Sequence, residues 1–280
     1  MLKNNYHTHM KYCNHAIGES KDYIDYAIKL NFNEIGMSDH GPIPLNSMNE
    51  EKWYALYCNE NMNMDTFEKY VSELDELKII NKDKIKIYKA LETEYLDNHE
   101  DFYKYLRSKL DYMVLGMHFF NYNDDILDTY RDVNYLNVDG YYNAVEKAIK
   151  SGLFNYLAHP DLYLFDYKSK NGINEFDSKA KEICLKLINL CVKYDIYFEI
   201  NANGLKFAKD INDRSKWRYP NIEFFKCVKE YMDNNSGKLK LIIGADAHKP
   251  IDLNSNNIKL VEDMIKDLGL DVLDKIEVGD

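Results

Sequence analysis

Long apolar runs are missing from this sequence: no stretch approaches the roughly 18 to 20 residues that a membrane-spanning helix needs. The first residues, MLKNNYHTH, also lack the apolar core of a secretory signal peptide, so we expect a cytoplasmic protein without a membrane partner. Proline and glycine are sparse, at 5 and 12 of 280 residues, and no segment rich in them marks a linker. We therefore expect a single domain over residues 1–280.

Cysteine is also scarce, and the 5 cysteines form no CxxC pair. An odd number of cysteines in a chain that is not exported is typical of free thiols. Cys184 and Cys191 lie on one predicted helix, where we expect them to be buried as small apolar side chains. Cys13 lies among histidines and is an alternative candidate for a metal ligand.

Positive charge is in short supply, because 36 Lys and Arg against 47 Asp and Glu leave a net charge of −11. The phosphate backbone of a nucleic acid repels such a surface, which argues against a nucleic-acid partner. A locally positive site is still allowed, since bound metal ions would create one. The remaining composition, 45% hydrophobic and 30% charged, is ordinary for a globular protein with a core.

Short apolar stretches alternate with helical patterns along the chain. The strand candidates are NNYHTH, EIGMSDH, KIKIYKALETEYL, DYMVLGMHFF, LFNYLAHPDL, IYFEINAN and LKLIIGADAH. Helical patterns lie near residues 20–31, 65–80, 140–150, 175–194, 221–234 and 255–268. Strict alternation predicts an α/β fold with parallel strands and right-handed crossovers. Seven such units close into a barrel, and the uncertainty of strand ends allows six to eight.

Histidine is rare, yet the segment HTHMKYCNH contains three of the 8 in the chain. All but one lie at or just after the end of a predicted strand: His7, His9, His15, His40, His118, His159 and His248. In a parallel barrel the strand ends meet at one mouth, where active sites are built. Only His99 falls outside this pattern, and we expect it at the solvated surface.

Carboxylates accompany the histidines at the same strand ends: Asp39, Glu92, Glu94 and Asp246. Imidazoles mixed with carboxylates suit Zn²⁺, Fe²⁺ or Mn²⁺. Seven imidazoles exceed what one tetrahedral ion can use, so we predict two to three divalent transition-metal ions. Histidine acid–base chemistry without a metal is the alternative.

The ordered motifs HTH, CNHA, SDH, LETE, GMH, AHPD and GADAH resemble those of the PHP (polymerase and histidinol phosphatase) superfamily. The longer segments SDHGP, EINANGL, RYPN and GADAHKP resemble motifs of its histidinol-phosphate phosphatase branch. The resemblance covers the chain from about residue 5 to residue 250. It implies a distorted (β/α)7 barrel, similar to a TIM barrel, with a trinuclear metal site at the C-terminal ends of the strands.

The resemblance also implies a set of metal ligands. The first ion would be held by His7, His9 and Asp246, the second by His118 and His159, and the third by His15, His40 and His248. Glu92 would bridge the first and second ions, and Glu94 is the alternative bridge. Glu199 and Asn201 share one face of strand six and would either orient these ligands or fill the barrel.

The activity implied by the resemblance is hydrolysis of L-histidinol phosphate, a step of histidine biosynthesis, by attack of a metal-bridging hydroxide on phosphorus. The predicted catalytic residues are Asp161, Asp246 and His248, with Asp161 a candidate acid for the leaving group. The predicted phosphate contacts are Lys206, Arg214 and Arg218, in the loop after strand six. Acceptors for the amine and imidazole of the substrate would come from Asp161, Asp39 or Glu60.

Other functions remain open at this point. A related phosphoesterase could act on another small phosphomonoester, a nucleotide or a nucleic-acid 3′ end, and Leu164 and Phe165 stand where related enzymes often carry a basic residue. A non-catalytic metal-binding module would be expected to have lost some ligands, whereas every motif position is filled in this sequence. A metal-dependent amidohydrolase also begins with HxH on a barrel. It would need a metal-bridging lysine late in a strand, and the sequence offers no convincing one. The oligomeric state is not predicted.

Overall fold

Seven parallel strands form one sheet in the computed structural model, which describes residues 2–44, 60–123, 125–235 and 239–278. The strands are β1 (Asn4–Asn5), β2 (Glu34–Met37), β3 (Lys86–Thr93), β4 (Tyr112–Leu115), β7 (Tyr156–Leu157), β8 (Tyr197–Asn201) and β9 (Lys240–Gly244), in that order across the sheet. Two further strands, β5 (Phe119–Tyr122) and β6 (Asp125–Asp128), pair with each other as an antiparallel hairpin.

The sheet curls until its first and last strands meet. A parallel bridge joins Thr8 and Ala247, and the His9 backbone N–H donates to the Ala247 carbonyl at 2.8 Å. The predicted (β/α)7 barrel is therefore confirmed, and it is nearly closed. It is distorted because β1 and β7 are only two residues long, so these strands contribute few ladder hydrogen bonds.

Helices connect the strands and cover the outside of the barrel. They are α1 (Ser20–Lys29), α2 (Met64–Asn81), α3 (Glu100–Ser108), α4 (Val138–Lys150), α5 (Ser178–Tyr194), α6 (Ile222–Asn234) and α7 (Asn256–Leu268). In the described ranges, no helix is both long enough and apolar enough to cross a membrane.

Helix α5 shows how local sequence sets these elements. The Asp177 side chain accepts a hydrogen bond from the Ala180 N–H and so caps the helix start. Its buried face includes Cys184 and Cys191, which are free thiols as predicted. The helix ends at Asp195, whose φ of 60° turns the chain into β8.

The strands separate two cores. Alternate residues of β8, Phe198 and Ile200, face outward and pack in the large core between sheet and helices. Tyr197 faces inward and belongs to a smaller core that fills the base of the barrel. The other tyrosines of that inner core are Tyr6, Tyr88, Tyr112 and Tyr156. Five of the 24 tyrosines of the sequence therefore pack together beneath the strand ends.

Two elements differ from the sequence prediction. Helix α3 lies between β3 and β4, where the sequence predicted no helix, and His99 is the residue before it, outside the histidine cluster. The predicted strand DYMVLGMHFF stops at Leu115, and its last residues begin the β5–β6 hairpin instead. This hairpin interrupts the strand–helix alternation and stands at the mouth of the barrel, where Phe119 and Asp128 line the main cavity.

Candidate metal centre

The histidines predicted at strand ends converge on one cavity at the barrel mouth. The imidazole ring of His9 lies 4.3 Å from that of His40 and 4.4 Å from that of His248, measured between centroids. The rings of His118 and His159 are 4.8 Å apart. The cavity beside them has a volume of about 380 Å³, which is enough for a small metabolite.

Three groups of candidate ligands form within this cluster. In each group the ligand atoms lie within 4.8 Å of one another, and the groups are His7, His9 and Asp246; Glu92, His118 and His159; and His9, His40 and His248. The first two groups correspond to the predicted first and second ion sites. The third differs from prediction by including His9, while His15 contacts it through His248, with 2.9 Å between the two Nε2 atoms.

Glu92 lies at the centre of the cluster. Its Oε2 atom is 3.1 Å from His7 Nε2 and 3.2 Å from His9 Nε2, and its Oε1 atom is 2.9 Å from His159 Nε2. Burial opposes ionisation, but His7 and His118 outweigh it and hold the pKa of Glu92 well below its usual range. Glu94 instead lies 2.8 Å from His118 Nδ1, on the side of that ring away from the cluster centre.

The hydrogen bonds of the histidines indicate that a cation fits between them. His15 Nδ1 and His248 Nδ1 each face a backbone carbonyl, of Cys13 and Asp246, at 3.0 Å, and a carbonyl only accepts. Both Nδ1 atoms therefore carry the proton, and the facing Nε2 atoms present lone pairs to each other at 2.9 Å. Such an arrangement is repulsive without a proton or a metal ion between the nitrogens.

Other atoms in the cluster fit the same interpretation. His7 Nε2 and His9 Nε2 are 3.1 Å apart, and the buried Oδ1 atom of Asp246 has no hydrogen-bond partner among the described residues. Burial and then His9 lower the pKa of His248 to about 3, so this ring is neutral at neutral pH. Burial opposes protonation of His7, but Glu199 and Glu92 outweigh it and raise the pKa of His7 well above its usual range. A divalent cation binds neutral imidazoles beside ionised carboxylates, so its binding would release the proton of His7.

Glu199 orients two of these ligands from beneath. His7 Nδ1 donates to its Oε1 atom at 2.8 Å, and the backbone N–H of His159 donates to its Oε2 atom at 2.7 Å. Tyr156 and Asn201 complete its four hydrogen bonds, each at 2.9 Å. Of the two roles left open by the sequence, these contacts favour orientation of ligands, as carboxylates do for metal-binding histidines.

Backbone features also shape the cluster. His159 and Asp246 have φ values of 30° and 46°, a left-handed conformation that costs energy in residues other than glycine. A Cβ atom at Gly116 would lie 2.2 Å from Glu92 Oε1, and one at Gly244 would lie 1.7 Å from Glu199 Oε1. The glycines of the GMH and GADAH motifs therefore make room for the carboxylates of Glu92 and Glu199.

Cys13 lies close to His9. Together with Asp39 it forms a fourth group of possible ligand atoms. Its Sγ donates to the Met10 carbonyl at 3.1 Å, and burial raises the pKa of this thiol. A buried neutral thiol is a poor ligand, so these contacts favour a packing role for Cys13.

Several residues predicted to bind substrate lie elsewhere. Asp161 is fully buried, and its Oδ2 atom accepts a hydrogen bond from the Asn221 N–H at 2.6 Å. In the described ranges, Asp161 does not line the cavity, so its position does not support the predicted role as acid. Asp39 is also buried, and it accepts hydrogen bonds from the backbone of Met10 and His40, whereas Glu60 does line the cavity.

The three basic residues predicted to bind phosphate also lie partly at the cavity and partly outside it. Lys206 lines the cavity. Arg214 instead pairs with Asp267 at 2.8 Å, and Arg218 stacks on the Phe165 ring and donates to the Phe165 carbonyl at 2.9 Å. Among the residues that the structure describes, neither arginine lines the cavity, because both guanidinium groups are engaged outside it.

The sequence prediction missed the cavity residues of the hairpin region, including Phe119 at the start of β5. Asp128, Tyr130 and Arg131 line the cavity next to His118. Thr129 anchors their turn, because its N–H donates to the His118 carbonyl and its hydroxyl to the Met117 carbonyl, at 2.8 and 2.7 Å. The only sequence signal was the short polar word LDTYRD, which shows no periodicity and follows an element that was not predicted.

Comparison with known proteins agrees with this site. Residues 5–203 match the model of the PHP domain, which spans more than half of the chain, and the chain therefore belongs to the PHP family. The predicted resemblance is confirmed. Among curated proteins, the chain is 22% identical over 271 residues to the probable histidinol-phosphatase of Deinococcus radiodurans, covering 94% of this chain and 92% of that protein.

Further relatives carry the same name. The chain is 22% identical over 276 residues to the histidinol-phosphatase of Bacillus subtilis, covering 90% of this chain and 96% of the relative. A putative histidinol phosphatase from Listeria monocytogenes superposes with a TM-score of 0.67 at 18% identity, over 92% of this chain and 99% of that one. These relatives confirm the predicted likeness to histidinol-phosphatases, which are phosphoric monoester hydrolases.

One solved structure of this fold contains ligands. The histidinol phosphate phosphatase of Lactococcus lactis, complexed with zinc, L-histidinol and phosphate, superposes with a TM-score of 0.68 at 17% identity. The match covers 98% of this chain and 96% of that chain. At this identity, the likeness establishes the shared fold.

Proposed function

We propose that this protein is a metal-dependent phosphomonoesterase that hydrolyses L-histidinol phosphate to L-histidinol and phosphate, as a cytoplasmic step of histidine biosynthesis. The observation that carries the proposal is the convergence of imidazoles on Glu92, with two pairs of facing Nε2 atoms at 3.1 and 2.9 Å. The names of the curated relatives and the ligands of the Lactococcus structure support the choice of substrate.

The proposed reaction adds water to a phosphomonoester dianion and releases an alcohol and inorganic phosphate. Bound divalent cations supply a nucleophile near neutral pH and neutralise the phosphoryl oxygens. In this chain, His7, His9, His118, His159 and Asp246 would hold two ions, with Glu92 between them. His15, His40 and His248 would hold a third, and Asp246 and His248 would thereby serve catalysis.

Phosphate binding would draw on basic residues that line the cavity, which in the described part of the chain are Lys206 and Arg131. Of the three residues predicted to contact phosphate, Lys206 lines the cavity, which supports its assignment. Arg214 and Arg218 would first have to leave Asp267 and Phe165. We therefore assign the phosphate contact to Lys206 and propose no such role for the two arginines.

Release of phosphate from L-histidinol phosphate by purified protein tests the proposal. The protein should be assayed as isolated, after chelation, and after reloading with Zn²⁺, Mn²⁺ or Fe²⁺. We expect activity that chelation abolishes and at least one of these ions restores. Activity that persists unchanged after complete metal removal, or no hydrolysis of any phosphomonoester by the reloaded protein, would overturn the proposal.

A further inference from the structure

Beyond the histidines, one wall of the cavity is aromatic. Tyr130, Phe207 and Tyr219 line it, and Phe165 packs behind them with its ring 5.0 Å from Tyr130 and 5.3 Å from Phe207. Phe207 is 38% exposed, although large apolar side chains are usually covered. We call Tyr130, Phe207 and Tyr219 the aromatic wall.

The aromatic wall adjoins the candidate metal ligands directly. The Tyr130 ring lies parallel to that of His118, at 2° and with 6.1 Å between centroids, and the Tyr219 ring is 6.1 Å from that of His159. The alcohol part of a phosphomonoester bound beside His118 and His159 would therefore lie within reach of these rings. The face of Phe207 already attracts a cation, because Lys206 Nζ lies 4.9 Å from its centroid.

A carboxylate from the hairpin lines the same cavity. The Asp128 side chain is 12% exposed, and its Oδ1 atom accepts a hydrogen bond from the Tyr130 N–H at 2.7 Å. Its Oδ2 atom lies 3.5 Å from the Nε atom of Arg131, whose side chain is 77% exposed. An ion pair whose cation is this exposed is weak, so a desolvated cation from a ligand would compete for this oxygen.

We propose that the aromatic wall and Asp128 form the leaving-group subsite, and that they select alcohols carrying both a planar ring and an ammonium group. The ring would pack on Phe207 and its aromatic neighbours, and the ammonium group would bind Asp128 Oδ2. This inference rests on the proposed function and deepens it, because it assigns substrate selection to the hairpin and the loop after β8. Phe165 supports the wall from behind through its ring contacts with Tyr130 and Phe207.

Two variants separate the two halves of the subsite. Phe207→Leu removes the ring but keeps an apolar side chain. Asp128→Asn removes the charge, while an amide oxygen can still accept the Tyr130 N–H and preserve the turn. Matched controls are Asp101→Asn, at a side chain that is 98% exposed on α3, and Tyr105→Leu, at a ring that is 42% exposed on the same helix.

Four phosphomonoesters test the variants on metal-loaded enzyme. L-histidinol phosphate has a ring and an ammonium group, p-nitrophenyl phosphate only a ring, phosphoethanolamine only an ammonium group, and glycerol 3-phosphate neither. Each variant is compared with the wild type on the same substrate, so intrinsic leaving-group reactivity cancels. We expect Phe207→Leu to lower kcat/KM about fivefold on the two ring-bearing substrates, in line with the energy of aromatic contacts. Asp128→Asn should lower it at least about tenfold on the two ammonium substrates, as for a charge-assisted hydrogen bond.

Equal losses on all four substrates, or losses no larger than those of the controls, would overturn the subsite assignment while leaving phosphatase activity in place. Calorimetric titration with L-histidinol provides a readout that needs no turnover. Asp128→Asn should weaken its binding about tenfold, and unchanged affinity would also contradict the assignment. An inactive wild type that still binds L-histidinol through Asp128 would refute the proposed function but not the subsite.

Discussion

His7 and Glu199 form a buried hydrogen bond inside the barrel, with 2.8 Å between His7 Nδ1 and Glu199 Oε1. Both side chains are 0% exposed, so neither can exchange its partner for water without local opening. The bond fixes the tautomer of His7 and directs its Nε2 atom toward Glu92, at 3.1 Å. The position of a candidate ligand just after β1 thus depends on a residue from β8.

Replacing Glu199 with glutamine tests this dependence. One oxygen becomes an amide group, which would face either His7 and Tyr156 or the donors His159 N–H and Asn201. We expect metal affinity to fall about 10- to 100-fold, as for other partners of metal-binding histidines. Competition with a chromogenic chelator measures it, with Glu230→Gln on the exposed face of α6 as control. Wild-type affinity in Glu199→Gln would contradict the orienting role.

Metal content should distinguish central from peripheral ligands. Glu92→Ala should remove more than one equivalent of metal, because its two oxygens contact ligands from different groups. His15→Ala should remove no more than one equivalent, since His15 contacts the cluster through His248. Elemental analysis of protein purified without chelator measures both. Full metal content in Glu92→Ala would move the bridging role to Glu94 or refute the bridge altogether.

Room for Glu92 depends on Gly116. A Cβ atom added at Gly116 would lie 2.2 Å from Glu92 Oε1, far inside van der Waals contact. The next nearest atoms to this Cβ also belong to the Glu92 side chain. We expect Gly116→Ala to displace the carboxylate and lower kcat at least about 100-fold, as small misplacements of catalytic groups do. Far-UV circular dichroism checks that the barrel is retained. A folded variant with wild-type activity and metal content would show that Glu92 need not occupy this position.

Chelation should destabilise the fold as well as abolish activity. A ligand that binds only the folded state adds about 4 kcal/mol to the free energy of unfolding when present at 1,000 times its Kd. Removal of the ions also leaves facing lone pairs on His15 and His248. Thermal unfolding with and without chelator measures the effect, and added Zn²⁺ or Mn²⁺ should restore the original Tm. An unchanged Tm in metal-free protein would argue against ions bound in this cluster.

The sequence could predict that the candidate ligands lie close together, because each was placed at or just after the end of a strand. Parallel strands bring such residues together whatever the details of the helices between them. The same logic could not reveal Asp128, Tyr130 and Arg131. They lie at the end of an antiparallel hairpin inserted in a loop and just after it, and nothing in their spacing indicates which way that loop folds.

Arg214 and Arg218 show the opposite failure. Both follow β8 and were therefore expected at the mouth, but position along the chain does not set where a long side chain points. Arg214 pairs with Asp267 on α7, and Arg218 stacks on the Phe165 ring and donates to the Phe165 carbonyl. These partners are distant in sequence from both arginines. The partners of flexible cationic side chains become visible only once the helices are in place.

The central claim is that this metal cluster serves hydrolysis of L-histidinol phosphate in particular. The most direct test compares kcat/KM for L-histidinol phosphate with that for p-nitrophenyl phosphate on fully metal-loaded protein. We predict a preference for L-histidinol phosphate of at least about 100-fold, or roughly 2.7 kcal/mol of transition-state stabilisation. Equal values for the two substrates would contradict the claim and indicate a phosphoesterase of a different or broader specificity.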